Sequence, residues 1–399
     1  MTHNIRRVLF PIPYLSELKT KTMKIRSHYL GLVLVVCFTG RIAAAQTIDE
    51  KLEAMMKEQP TVGLSVAAVK DGKLIYTHSF GYKNLETKTP LSDNDIFRIA
   101  SISKSFTSVG LMQMIQKKKI SLDDDVSALA GFRIRNPRFP DKVITLRMVL
   151  SHTSSINDRQ GYFDLVAINP DKNPDWAKCY NDYEPGSAYE YCNYNYNIAG
   201  AILERVSGER FDHYIAGHIL KPLGISGGFN VNDLDPSRFA LIYDYNRETA
   251  RFILSPAAYA PRKKEISEYE MGFTTPVFSP AGGLKISAGD LAQYMMMHMK
   301  NGKQNGKRII AKKNAKLIRT PLSAKEHYGL GLLLNPDLIP GVNMYGHTGG
   351  AYGLTSLMFF EPEKKFGFVA ISNGNAPSYS SGRKAIKIMY EEFIRARAD

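Results

Sequence analysis

Strand signals stand at both ends of this chain and helix signals fill its middle, and few folds accommodate that order. Residues 63–81 read GLSVAAVKDGKLIYTHSFG, two apolar alternating runs around Asp71-Gly72. Asp-Gly supplies the positive φ angles of a two-residue turn, so the stretch predicts a β-hairpin. Towards the other end, residues 328–334, 342–348, 354–361 and 366–373 are short, apolar and separated by turn residues. EPEKKFG (361–367) joins the last two as a hairpin, and an amphipathic helix follows from about 380. Between these ends the apolar period is helical. Ile102, Phe106, Val109, Met112 and Met114 give residues 101–117 a broad apolar face. Lys117, Lys118 and Lys119 then suit the negative end of the helix dipole. ITLRMVLSHTSS (144–155) reads as a short helix running into a hydroxyl-rich loop. Residues 194–208 make a helix with Gly208 just past its end, and residues 209–222 another. In residues 279–300 a glycine turn leads to Ser287 as cap of a helix whose methionines read as core. Residues 157–190 are rich in Asn, Asp, Pro and Tyr with little period, which predicts a long loop over a site. The simplest architecture is α+β: one antiparallel sheet from both chain ends, flanked by terminal helices, with a helical lobe inserted. That gives a single domain over residues 46–399, with a sheet lobe of about 46–100 and 290–399 and a helical lobe of about 101–289.

The first 45 residues differ from the rest. From Met23 the chain runs through basic residues, an apolar stretch of about 29–38 and then small residues. That is the layout of a secretory signal cut after Ala45, and the apolar run is short for a membrane span. Residues 1–22 fit a signal badly and read as an upstream start that is not used. The expected location is therefore periplasmic or extracellular. Residues 1–45 hold seven Lys and Arg against one acidic residue, so only +8 of the +14 net charge remains beyond them. That charge is spread out, with no basic stripe and interleaved aromatics, which argues against nucleic acid as a partner. Export leaves Cys179 and Cys192. An even count in an oxidising compartment predicts a disulfide, worth roughly 3 kcal/mol for a loop of that length.

Three short stretches carry chemistry. RIASISKSFTSVG (98–110) places Lys104 three residues after Ser101 at a helix start. There the two side chains share a face, and unpaired backbone N–H groups can receive developing negative charge. A lysine able to take the serine proton must have its pKa lowered by burial or a nearby cation. A helix cap followed by a surface lysine gives the same spacing, which Ser16–Lys19 and Ser381–Lys384 also show. PGSAYEYCNYNYN (185–197) sets Tyr191 and Asn193 two apart at the entrance to a helix. A phenol near a lysine can serve as base, and an amide can orient the lysine and hold a carbonyl. An aromatic cluster with a cap is the plainer alternative. YGHTGGAYG (345–353) brings His347, Thr348, Gly349 and Gly350 together after an apolar strand. Two glycines let another backbone approach, and a free strand edge can bind an extended peptide or supply an oxyanion donor; a simple glycine turn would also fit.

In the order Ser-x-x-Lys, Tyr-x-Asn, His-Thr-Gly, the chain resembles the serine β-lactamase-like family: class C β-lactamases, D-alanyl-D-alanine carboxypeptidases and related esterases. LSHTSS, SPAGGLKISAGDLAQYM, YGLGL and GHTGG also fall in family order, so the resemblance covers residues 50–395. It implies the β-lactamase/transpeptidase-like fold and an acyl-enzyme on Ser101. It makes Lys104 the partner of the nucleophile, Tyr191 the general base and later acid, and Asn193 a substrate-positioning residue. His347, Thr348 and Gly349 become the third motif, on the sheet edge. The backbone N–H groups of Ser101 and Gly350 become the oxyanion hole. Which of Lys104 and Tyr191 takes the first proton stays open, and the two are treated as a coupled pair. Class C β-lactamases usually carry Lys where His347 stands. His is similar to carboxypeptidase and D-amino-acid peptidase members, which weighs against efficient β-lactam turnover. Ser155 also stands where the family often has Gly.

The reading that follows is a hydrolase of D-amino-acid peptides, with esterase or β-lactamase action on the same site as alternatives. The substrates would be small peptides, esters or β-lactams, with peptidoglycan as a potential partner. A non-catalytic muropeptide-binding module on the same fold is the alternative from another class. GISGG (224–228) matches the Gly-x-Ser-x-Gly elbow, but a helix precedes it and none follows. No histidine pair has metal-ligand spacing and no phosphate loop appears, so neither metal nor cofactor is expected.

Overall fold

The computed structural model describes residues 46–322, 326–376 and 380–395; the predicted targeting segment, residues 1–45, lies outside them. Asp71 (φ 52°) and Gly72 (φ 69°) form the expected turn between β1 (Gly63–Lys70) and β2 (Lys73–Asn84). β3 (Thr89–Pro90) pairs with the far part of β2. From the other end come β4 (Leu333–Ile339), β5 (Val342–Ala351), β6 (Leu354–Glu361) and β7 (Phe366–Ser372). The sheet order is β4-β5-β6-β7-β1-β2-β3, with every neighbouring pair antiparallel. β7 and β1 join the two chain ends, from Leu64 opposite Ser372 to Val69 opposite Gly367.

The helices that cover the sheet and position the site are α1 (Ile48–Glu58), α2 (Ser103–Gln116), α3 (Asn193–Ser207), α4 (Ala288–Met299) and α5 (Ser380–Phe393). β1 is central and buried at seven of its eight positions, so it alternates between two covered faces rather than between core and water. Leu64, Val66 and Ala68 pack with Leu52 and Met55 of α1 and Ala385, Ile386 and Met389 of α5. Ala67 and Val69 face the larger core, which holds α2, α3 and α4. Met295, Met296, Met297 and Met299 of α4 are buried there, as expected of core methionines. Ser287 caps α4 by accepting from Asp290 N at 3.1 Å. α3 ends on Gly208 in the left-handed conformation (φ 77°). Gly110 lets α2 approach α3, since a Cβ there would meet Leu203 Cδ2 at 2.6 Å.

Two strand boundaries differ from expectation. The strand expected over 328–334 lies at Leu333–Ile339 instead. Gly331 (φ 104°) turns the chain before it, and Tyr328 makes only an isolated bridge to Leu333. The strand runs through Pro336 because β4 is at the sheet edge and its register breaks between Asn335 and Ile339. β5 in turn extends to Ala351, so the GHTGG stretch is strand and the turn falls at Tyr352 (φ 56°) and Gly353 (φ 91°).

Candidate active site

Ser101 sits in a single 3₁₀ turn, Ala100–Ile102, that leads into α2. Ala100 before it holds φ 45°, a conformation that costs a non-glycine residue on the order of 1–2 kcal/mol. The turn is pinned on two sides. Ile99 N donates to Leu284 O at 3.0 Å, and Ile99 O accepts from Ser356 Oγ at 2.8 Å. One turn on, Lys104 is fully buried. Its Nζ lies 3.1 Å from Ser101 Oγ, 2.8 Å from Asn193 Oδ1 and 2.9 Å from Ala281 O. Burial lowers its pKa to about 7; Asp158 and Cys192 oppose that shift and Arg98 adds to it. A lysine titrating there offers a neutral amine to the serine near neutral pH.

Tyr191 stands over this pair, its ring centroid 4.8 Å from Lys104 Nζ. Its surface is 39 % exposed, while its hydroxyl lies in the cleft beside Ser101. Loss of solvent around that hydroxyl pushes its ionisation up, and the hydrogen bond with Ser101 only partly opposes this. The phenol therefore stays protonated where Lys104 begins to lose its proton. Asn193 opens α3 and gives Oδ1 to Lys104, while its Nδ2 donates to Asp158 Oδ2 at 2.9 Å. Asp158 also accepts from the backbone N–H of Asn193 and of Tyr194, each at 2.9 Å, which anchors the α3 N-terminus. Sequence reasoning missed Asp158. It lies 35 residues before Asn193 in an aperiodic loop, with no local pattern to mark it.

His152, from the LSHTSS stretch, is a second residue not singled out. It holds φ 59°, and its Nδ1 accepts from Cys192 N at 3.2 Å. Its ring packs against those of Tyr189, Tyr191, Tyr196 and Tyr328. Burial, then the Lys104 charge, hold its pKa well below normal, so it is a neutral support for Tyr191.

The expected disulfide is absent. Cys179 and Cys192 are both free and buried. Their sulfurs have separate partners: Cys179 Sγ donates to Ala167 O at 3.4 Å, and Cys192 Sγ to Asp158 Oδ1 at 3.2 Å. Cys192 is thus part of the support under Asn193, while Cys179 is buried within the 157–190 loop, tied to Ala167.

The third motif arrives on β5. The two-residue turn makes Ala351 and Leu354 a hydrogen-bonded pair, so Gly349 and Ser356 form the next one. The N–H and C=O groups of Thr348 and Gly350 then point away from β6. β4 pairs with β5 only as far as Gly346, so this stretch of edge is open. Gly349 is required for the approach to the nucleophile. A Cβ there would meet Ile99 O at 2.3 Å, Ser356 Oγ at 2.4 Å and Ser101 N at 3.1 Å. His347 is buried, with Nε2 accepting from Tyr328 OH at 3.1 Å and Nδ1–H donating to its neighbour Thr348 O. Burial, with the Lys104 charge adding to it, lowers its pKa to about 3, against the opposing Thr348 contact. The ring is neutral and fixes the edge rather than supplying a cation. Ser101, Tyr191, His347, Thr348, Gly349 and Gly350 all line one cleft of about 540 Å³. Every residue drawn from the three motifs is therefore gathered around Ser101.

The Beta-lactamase family model matches residues 48–389. Protein flp of Staphylococcus aureus (strain MRSA252) is 24 % identical over 337 residues, covering 83 % of this chain. The chain spans only 63 % of that relative's length. Penicillin-binding protein 4* of Bacillus subtilis is 30 % identical over 202 residues, 46 % of this chain and 43 % of its own. Among solved structures, the octameric penicillin-binding protein homologue from Pyrococcus abyssi superposes with TM-score 0.68 at 26 % identity, over 86 % of this chain and 77 % of that one. The D-amino acid amidase from Ochrobactrum anthropi SV3 superposes with TM-score 0.66 at 20 % identity, over 88 % and 99 %, a likeness of fold. With the β-lactamase/transpeptidase-like fold and a family match over most of its length, this chain belongs to the Beta-lactamase family.

Proposed function

We propose that this protein is an exported serine hydrolase that works through an acyl-enzyme on Ser101, with peptides or amides of D-amino acids as its substrates. The observation that carries the reading is the buried amine of Lys104, 3.1 Å from Ser101 Oγ with its pKa lowered to about 7. As Ser101 Oγ attacks the carbonyl, its proton passes to neutral Lys104. The oxyanion is received by the backbone N–H groups of Ser101 and Gly350. Removing one such donor typically costs about 10²–10³ in rate. Tyr191, protonated and beside the serine, gives its proton to the leaving amine and is replenished from Lys104. Water then attacks the acyl-enzyme, its proton passes back to the Lys104–Tyr191 pair, and Ser101 is restored. The open edge of β5 suits an extended peptide, and Asn193 would orient Lys104 through its Oδ1.

The D-amino-acid preference draws on the D-amino acid amidase, whose fold this chain shares. Its test is a panel: a peptide ending in D-alanyl-D-alanine, the L,L isomer, a p-nitrophenyl ester and nitrocefin. The reading expects turnover of the D,D peptide, little of the L,L isomer and slow or no nitrocefin turnover. Ester turnover with neither peptide cleaved would move the assignment to an esterase, and fast nitrocefin turnover to a β-lactamase.

A further inference from the structure

Beside the nucleophile turn lies a second cavity, of about 320 Å³, that shares no lining residue with the cleft holding Ser101 and Tyr191. Arg98, Arg262 and Lys285 all line it. Lys285 is only 5 % exposed, and its Nζ makes a single hydrogen bond, 3.0 Å to Phe229 O. Among the described residues it has no carboxylate partner, which is unusual for a buried ammonium. Arg98 is similar. Its Nε donates to Gly282 O at 2.7 Å and its guanidinium lies 5.1 Å from the Tyr352 ring centroid, yet its two terminal nitrogens donate no hydrogen bond among the described residues. Arg262 donates to Glu265 Oε1 at 3.0 Å. Burial and the two guanidiniums hold the Lys285 pKa well below its ordinary value. Arg98 stands just before the Ser101 turn, and the lining residue Gly283 lies just past Ala281, whose carbonyl accepts from Lys104 Nζ at 2.9 Å, so the cavity adjoins the reaction centre.

We propose that Lys285 and Arg98 form an anion subsite for a carboxylate on the acyl part of the substrate. The choice rests on the hydrolase reading, because Tyr191 fixes the sides. The leaving group must lie by its proton donor in the first cleft, which leaves this cavity for the acyl portion. Charge favours a single carboxylate over a phosphate dianion. Asp164 and Glu265 also line the cavity, so three cations face two carboxylates. Asp164 is occupied by the N–H groups of Val166 and Ala167, and Glu265 by Arg262. Phe163, Phe229 and Val277 supply apolar wall for an aliphatic chain. A bound carboxylate would give Lys285 and Arg98 the partner they lack and restore the lysine's charge, so binding takes up a proton.

The test uses Ser101→Ala protein and adipate, followed by titration calorimetry at pH 8 in buffers of different ionisation enthalpy. The expected result is binding with proton uptake, weakened at least tenfold by Lys285→Met and by Arg98→Gln, with thermal melts confirming that each variant folds. In parallel, wild-type enzyme should cleave p-nitrophenyl hydrogen adipate at least tenfold better in kcat/KM than p-nitrophenyl hexanoate, and Lys285→Met should reduce that preference. No adipate binding, or binding indifferent to both substitutions, would overturn the subsite. Failure to cleave either ester would count against the hydrolase reading alone, since adipate binding to the Ser101→Ala protein is measured without turnover.

Discussion

In the proposed mechanism the chemistry turns on the single amine of Lys104. With Lys104 titrating at about 7, the acylation rate should rise with pH and level off above that value, because only the neutral amine accepts the serine proton. Lys104→Ala should lower acylation by about 10²–10⁴ and remove the inflection. Stopped-flow acylation from pH 5.5 to 9 reads both. Tyr191 has a different signature. A phenol that protonates the leaving group matters for amines and little for p-nitrophenolate. Tyr191→Phe should therefore cost about 10²–10⁴ on an amide and far less on a p-nitrophenyl ester; equal losses on both would remove that role. Ser101, Lys104, Tyr191, Asn193 and the 347–350 stretch were legible because each sits in a short pattern tied to a helix start or strand. Asp158 was not, because loop tertiary structure places it and no local pattern marks a residue that acts across 35 positions; LSHTSS contains His152 without showing that its ring acts 40 positions on, at Cys192. The cysteines misled for a related reason: pairing in space depends on loop geometry that spacing does not encode.

Elements set the distances those residues need. β5 can reach Ser101 only without a side chain at position 349, so Gly349→Ala should displace the edge and cost about 10²–10³ in rate, the effect of a lost oxyanion donor. Its melting temperature should change less than its activity, because β5 stays paired with β6. α3 is held at its other end by buried Glu204, which accepts from Phe211 N, Gly272 N and Thr275 Oγ1, each at 2.6 Å, and from Tyr269 OH. Glu204→Ala leaves four donors without their partner and should destabilise the fold by about 3 kcal/mol or more, read from urea unfolding. The hairpins and the long helices were legible from turn chemistry and period. The first C-terminal strand was misplaced because apolar YGLGLLL looks like a strand, while Gly331 bends it and the true strand carries Pro336 on a sheet edge.

Across the whole molecule, β1 and β7 unite the chain ends, and the helical insertion brings Tyr191 and Asn193 to the Ser101 turn. That assembly buries two lysines, and stability must show it. Unfolded, Lys104 titrates near 10.5; folded, near 7. Between those values the unfolded chain binds the proton that the folded one has released, so stability rises with pH through that window. Lys285, also lowered by burial, acts in the same direction. Urea midpoints at pH 7 and 9.5 should show a gain in wild type that shrinks in Lys104→Met. Whether Ser101 is the nucleophile is read by intact-protein mass after exposure to a fluorophosphonate and, separately, to a labelled penicillin. The expected result is a one-to-one fluorophosphonate adduct that is lost in Ser101→Ala and nearly lost in Lys104→Ala, with any lasting penicillin adduct on the same serine. No adduct from either reagent on folded wild-type protein, or one that survives in Ser101→Ala, would contradict it.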